Sequence, residues 1–459
     1  MGFPKNFAWG TATAAYQIEG AATRDGKSPS VWDMMCKKQG AIWQGQTGDT
    51  ACDHYRLYQD DVKLMNQLGH RCYRFSTSWP RIIPDGMGAV NGKGLDFYDR
   101  LVDELVKNNI EPYITFFHWD YPYALYRRGG WLNPDSPNWF VEYVNAVLEK
   151  LSDRVTNWIT LNEPQCFLGY GHFEGIHAPG DKLGLAQLLQ IGHNALLAHG
   201  KATQSIRAKA KTKPRIGYAP VGVVKIPATN TRDDIDAARS AMFSIQEKGY
   251  WNNTWWMDPV LLGRYPEDGL KLFESFLPEI KSEDLAVISE NVDFLGLNIY
   301  NGRETQMGPD GKPREAKRET GYPRTAFDWP ITPSCLYWGP KFMYERYKKP
   351  IFITENGISN IDWIMSDGNV HDPQRIDYIK RHLLQLHNAI KEGVDIQGYF
   401  LWSLMDNFEW AEGVRQRFGI IYTDYTTQKR IPKDSAYWYK SVIESNGETI
   451  FEDFTYSFK

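Results

Sequence analysis

Two glutamates stand where a carboxylate could do chemistry: Glu163 in Thr160-Leu161-Asn162-Glu163-Pro164 and Glu355 in Ile353-Thr354-Glu355-Asn356-Gly357. Each closes a short apolar run of β type and is followed by a turn former. Paired carboxyls can cleave a glycosidic bond, one protonating the leaving oxygen while the other attacks the anomeric carbon or activates water. The ends of other apolar runs carry a similar excess of functional groups. Gln17 and Glu19 follow the first run, Arg74 lies in the second and His118-Trp119 follows the third. Asn162 precedes Glu163, Asn298 and Tyr300 close the sixth run, and Trp402 ends the eighth with Glu409-Trp410 beyond it. One strand-end glutamate is as readily a solvated loop residue; two in this company are not. The ten histidines form no His-x-x-x-His pair in a helical context and there is no Cys-x-x-Cys, so neither a metal nor a cofactor is expected.

The elements that must hold these groups read as eight strands. They are Phe7 to Ala12, Cys72 to Ser76, Tyr113 to Phe117, Asn157 to Leu161, Arg215 to Ala219, Phe294 to Asn298, Ile351 to Thr354 and Gly398 to Trp402. Helical patterns lie between them. Phe140, Tyr143, Val144, Val147, Leu148 and Leu151 share one face at helical spacing, and Asp60-Asp61 reads as a cap ahead of Val62, Leu64, Met65 and Leu68. Eight β-then-α units without a linker predict one α/β domain over residues 1–459, a closed (β/α)8 barrel. A doubly wound open sheet competes, but no Gly-x-Gly-x-x-Gly turn follows any strand. Such a barrel needs only ~250 residues, so the surplus goes to loops around 25–55, 165–190, 300–340 and 358–375, of the kind that build sites. In this architecture the strand ends converge on one mouth, and strands four and seven place Glu163 and Glu355 on opposite sides of it.

Composition narrows the partners. With 52 basic against 56 acidic residues and no basic run, no nucleic-acid partner is expected. No apolar stretch nears the ~20 residues that span a bilayer, and no membrane partner is expected. The N-terminus lacks a basic stretch followed by an apolar run, and five scattered cysteines fit reduced thiols, so a cytoplasmic location is expected. A homo-oligomer is compatible with all of this. The 17 Trp, many beside polar residues at run ends, suit the C–H faces of sugar rings.

At this level of detail the sequence resembles glycoside hydrolase family 1. The stretch from Phe7 to Gly20, Tyr73 to Arg81, Phe117 to Asp120, Thr160 to Pro164, Leu297 to Tyr300, Ile353 to Gly357 and Trp402 to Trp410 carry the resemblance across nearly the whole chain. It implies a retaining β-glucosidase with Glu163 as acid/base and Glu355 as nucleophile, the two carboxyls ~5–5.5 Å apart. Gln17, His118, Trp119, Asn162, Glu409 and Trp410 would hold the innermost sugar, Trp402 would lie beneath its ring, and Trp329 would stack the leaving-group sugar. Arg74 and Tyr300 would orient Glu355, with Asn298 in support. Neighbouring donors should lower the pKa of Glu355, while burial and a nearby negative charge should raise that of Glu163. The family branch that cleaves 6-phosphorylated glycosides uses serine and lysine near Glu409-Trp410; a carboxylate there repels phosphate. A barrel that binds sugar without turning it over would have lost one of the two glutamates or a direct supporter, and all are present. Transglycosylation and the ranking of glucosides, galactosides and fucosides stay open.

Overall fold

The computed structural model describes residues 2–453. Eight parallel strands close on themselves: β1 (Ala8–Ala12), β2 (Cys72–Ser76), β3 (Glu111–Phe117), β4 (Asn157–Asn162), β5 (Arg215–Ala219), β6 (Phe294–Asn298), β7 (Ile351–Asn356) and β8 (Ile396–Trp402). Each pairs with its neighbours in chain order, and β1 completes the ring by pairing with both β2 and β8. All eight strands fall where the sequence reading puts them, three with the same ends and the others differing by one or two residues at one end. The strands are buried almost throughout, as expected where helices cover the outside and side chains fill the inside.

The outer ring includes α1 (His54–Gln67), α2 (Gly92–Lys107), α3 (Ser136–Leu151), α4 (Leu185–Lys209), α5 (Ser282–Ile288), α6 (Cys335–Tyr347), α7 (Pro373–Lys391) and α8 (Asp434–Glu444). The face expected of α3, Phe140 through Leu151, is the buried one. The expected cap of α1 is not: that helix begins at His54, so Asp60 and Asp61 lie within it. Asp61 is buried instead, bound to His54 Nδ1 at 2.8 Å and to Arg430 at 2.9 Å. Two adjacent acids mimic a helix start in sequence; a distant arginine explains why one of them is internal.

Inside the barrel an aromatic plug lies under the mouth. Tyr113 of β3 meets Phe400 of β8 edge-on at 4.8 Å, and Phe294 of β6 meets Phe352 of β7 at the same distance. Strands β3 and β8 are not neighbours, so these rings can touch only across the interior. The surplus chain lies largely in the expected places, though residues 165–174 are helical rather than loop. Two further insertions follow β5 and β8; the first adds a small sheet in which Val224–Pro227 pairs with Gly302–Met307.

Candidate functional site

The mouth is built on hydrogen bonds between strand ends. From β2, the buried Arg74 donates to Glu355 Oε1 at 2.7 Å and to the backbone carbonyl of Thr354 at 2.9 Å. Its other amine donates to Asn162 Oδ1 at 2.5 Å, and its Nε to Thr115 at 3.1 Å. Tyr300, just past β6, donates to Glu355 Oε2 at 2.7 Å. Asn298 donates to Glu163 Oε1 at 2.8 Å and to Asn162 Oδ1 at 3.0 Å, while Thr354 donates to Asn298 Oδ1 at 2.6 Å. A continuous path therefore runs from Glu355 through Arg74, Asn162 and Asn298 to Glu163. Thr115 and Thr354 are the supporters that sequence reasoning missed; both sit inside strands, where a threonine signals only β propensity.

This network fixes tautomers as well as positions. Asn162 Oδ1 accepts from two donors, so its amide nitrogen must donate to His118 Nε2 at 3.1 Å. Burial and the Arg74 charge hold His118 neutral, with its pKa well below the usual range. A neutral ring accepting at Nε2 carries its proton on Nδ1, and that atom is buried without a partner. Gln17 is arranged similarly. Its amide nitrogen donates to the Phe408 carbonyl at 2.9 Å, to Asn407 at 3.0 Å and to Glu409 at 3.2 Å, leaving its buried Oε1 unpaired.

Aromatic side chains wall the rest. Trp402 lies nearly parallel to His118 at 5.8 Å, and Trp119 packs on Trp410 at 4.6 Å. Trp410 is backed by Trp32 at 4.6 Å, a residue without any site signal in the sequence. Trp329 packs 5.2 Å from Tyr300 and is half-buried, so the structure brings it to the Glu355 side of the mouth. Glu163, Trp119 and Trp410 all hold positive φ, at 47°, 81° and 52°. Such backbone strain in non-glycine residues concentrates where geometry matters more than stability. Gly357 is needed for a different reason: a Cβ there would lie 1.7 Å from the Trp402 carbonyl oxygen, so only glycine lets the β7 and β8 ends approach this closely.

The electrostatics are lopsided. Glu163 is pushed up to about 8, first by burial and then by the Glu355 charge. Glu409 is likewise raised to about 8 by burial and by both other glutamates. Glu355 departs from expectation. Burial raises its pKa, and Arg74 and Tyr300 pull it back without restoring the ordinary value. Of the pair, only Glu355 accepts from a guanidinium and a phenol, both of which favour its charged form, whereas the Glu355 charge works against ionisation of Glu163. Among the described residues, no group of three or more His, Cys, Asp or Glu side chains is arranged to hold a metal ion.

A family model described as Glycosyl hydrolase family 1 matches residues 1–448. The chain belongs to that family. It is therefore an O-glycosyl hydrolase, and its barrel is the family barrel. It is 45% identical to beta-glucosidase A of Thermotoga maritima over 97% of this chain and 98% of that protein. The solved Thermotoga maritima beta-glucosidase in complex with glucoimidazole superposes with a TM-score of 0.89 at 44% identity, covering 97% of this chain and 99% of that one. A relative with a different activity is also near: aryl-phospho-beta-D-glucosidase BglC of Bacillus subtilis is 37% identical over 98% of each chain. Within family 1, then, overall likeness leaves the phosphate question to the residues of the mouth.

Proposed function

We propose that this family 1 hydrolase is a retaining β-glucosidase that removes terminal, non-reducing β-D-glucosyl residues from cellobiose, short β-glucosides and aryl β-glucosides. The observation that carries the reading is the unequal pair: Glu355 held by a guanidinium and a phenol at 2.7 Å each, and Glu163 buried and raised to about 8. Near neutral pH the first is the group to ionise and the second keeps a proton. Glu355 attacks the anomeric carbon while Glu163 delivers its proton to the leaving oxygen, giving a glucosyl ester and a free alcohol. Esterification removes the charge on Glu355, one of the causes that raises the pKa of Glu163. Glu163 then becomes the better base, takes a proton from water, and the hydroxide displaces Glu355 with the β configuration restored.

Substrate contacts follow from the unpaired atoms. His118 Nδ1–H is free to donate and Gln17 Oε1 to accept, and each suits a sugar hydroxyl. On this reading Asn162 bonds the 2-hydroxyl, Trp402 takes the ring face, Trp119 walls the pocket, and Glu409 with Trp410 takes the 4- and 6-hydroxyls. Among the described residues no lysine or arginine bonds Glu409, so a 6-phosphate would find an acid in place of a cation. β-Fucosides and β-galactosides present most of the same hydroxyls and should be turned over as well. The five unpaired cysteines support a reducing, cytoplasmic setting.

The deciding experiment compares initial rates on nitrophenyl β-glucoside, β-galactoside, β-fucoside and 6-phospho-β-glucoside. The reading requires the glucoside or fucoside to be cleaved and the phosphorylated sugar refused, with Glu355→Gln inactive. Preference for the phosphorylated sugar would overturn the role given to Glu409. No cleavage of any of them would leave a sugar-binding barrel.

A further inference from the structure

One fully buried acid takes no part in the proposed chemistry. Asp120 directly follows His118 and Trp119, keeps 1% of its surface exposed, and has no hydrogen-bond partner for either carboxyl oxygen among the described residues. It sits in the middle of a tight turn. The Tyr121 N–H donates to the Trp119 carbonyl at 2.9 Å across that turn, and Trp119 itself holds φ at 81°. The edges of the turn are fixed: the Trp119 indole donates to the Asn162 carbonyl at 2.9 Å, and the Val31 N–H donates to the Tyr121 carbonyl at 2.9 Å. Its centre carries Asp120.

The groups around Asp120 are polar but already engaged with one another. Glu19 accepts from Arg81 at 2.9 Å and from Tyr98 at 2.6 Å. Lys27 binds Asp33 at 2.9 Å, and the Tyr143 hydroxyl bonds the carbonyls of Thr77 and Phe116 at 3.0 Å each. The Ser78 hydroxyl faces the Asp120 carboxyl and is itself unpartnered. Burial first, and then the Glu19 charge, push Asp120 up to about 8, so near neutral pH it keeps its proton. A neutral carboxyl can donate to the Ser78 oxygen, which an ionised one cannot.

We propose that Asp120 is a positioning residue: as a neutral acid donating to Ser78, it anchors from behind the turn that presents His118 and Trp119 to the innermost sugar. The inference rests on the glycosidase reading and extends it to a side chain that meets no substrate. Ser78 is a firm point of attachment, because its own N–H donates to the Tyr98 hydroxyl at 2.7 Å. The anchor thus ties the turn after β3 to the segment after β2. A slack turn would misdirect the His118 Nδ1–H. It would leave Glu163 and Glu355 in place, since Asn298, Arg74 and Tyr300 hold those two. The loss therefore falls on KM and spares kcat.

The test measures kcat and KM on nitrophenyl β-glucoside at about pH 6 for Asp120→Ala and Asp120→Asn, each alone and combined with His118→Ala. Asp120→Ala should raise KM about five- to tenfold with kcat within about twofold of the unaltered protein. Asp120→Asn can donate to Ser78 but cannot ionise, and should recover most of the loss. Ser78→Ala, which removes the acceptor instead of the donor, should reproduce the rise in KM. With His118 already truncated, Asp120→Ala should add less than about twofold, because the contact it sets is gone. An Asn variant as impaired as the Ala variant overturns the neutral acid. An unchanged KM, a loss carried by kcat, or fully multiplicative effects in the double variant overturn the positioning role. Binding of cellobiose to the Glu355→Gln protein, followed by tryptophan fluorescence, separates this from the parent reading. No binding at all rejects the glycosidase reading, whereas binding that Asp120→Ala leaves undiminished rejects the anchor alone.

Discussion

Two buried clusters of charge lie close together in this barrel and are assembled on opposite plans. Behind the β7 and β8 loops, Asp362, Asp372 and Asp406 meet Arg375, Arg417 and Lys433. Lys433 bridges Asp362 at 2.6 Å and Asp406 at 2.8 Å, Arg375 binds Asp362 at 2.8 Å and Asp372 at 2.6 Å, and Arg417 binds Asp406 at 2.6 Å. Every acid there has a cation. At the mouth, of Glu163, Glu355 and the partly exposed Glu409, only Glu355 forms an ion pair among the described residues, with Arg74. The first cluster welds the segment after Glu355 to the segment carrying Glu409. The second leaves charge uncompensated, which holds protons on acids near neutral pH. Balance gives rigidity, and imbalance gives reactive groups; this molecule uses the first to support the second.

The comparison breaks most sharply at Glu355. Glu355→Gln removes the oxygen proposed to attack the anomeric carbon and should cost on the order of 10⁴-fold or more in kcat, while the melting temperature holds or rises, measured on the same preparation. Glu163→Gln should cost about 10²–10⁴-fold on cellobiose and less on nitrophenyl glucoside, whose leaving group needs less protonation. In the unaltered protein, kcat/KM should fall as pH rises through about 8, where Glu163 loses its proton; Glu163→Gln should remove that limb.

The balanced cluster should answer in stability instead. Lys433→Met leaves Asp362 and Asp406 with one arginine each and the buried cluster one positive charge short, and should destabilise by ~3–5 kcal/mol in urea unfolding. Glu409→Gln should do the reverse at alkaline pH. Its folded pKa of about 8 exceeds the unfolded value, so the folded chain keeps a proton that the unfolded chain releases. The stabilisation is complete below pH ~4.3 and is lost as pH rises to about 8. The glutamine variant should therefore be more stable than the parent at pH 8, by ~1–2 kcal/mol once partial exposure is discounted. If Lys433→Met proves as benign as Glu409→Gln, the contrast between the two clusters fails.

Much of the mouth was legible because groups at strand ends are fixed by chain position. Glu163 directly follows β4 and Glu355 is the penultimate residue of β7, and a parallel barrel sends every such end to one face. His118, Asn298 and Tyr300 follow the same rule, whereas Arg74 sits mid-strand in β2 and Gln17 in the short helix after β1. What failed was local: Asp60-Asp61 imitates a cap, and nothing near it in sequence reveals that Arg430 claims Asp61. Trp32 was invisible for the same reason, since it reaches Trp410 across nearly the whole chain.

The sequence by itself determined the barrel, the order of its strands and the identity of the groups at its mouth, because alternation of apolar runs and the direction of parallel strands are properties of the chain. Only the tertiary structure decided how those groups are charged. Whether burial or a neighbouring guanidinium prevails at Glu355, which nitrogen of His118 holds the proton, and which acids find a cation all depend on distances between residues far apart in the chain. Electrostatic energy varies with separation and desolvation, and neither is written along the sequence.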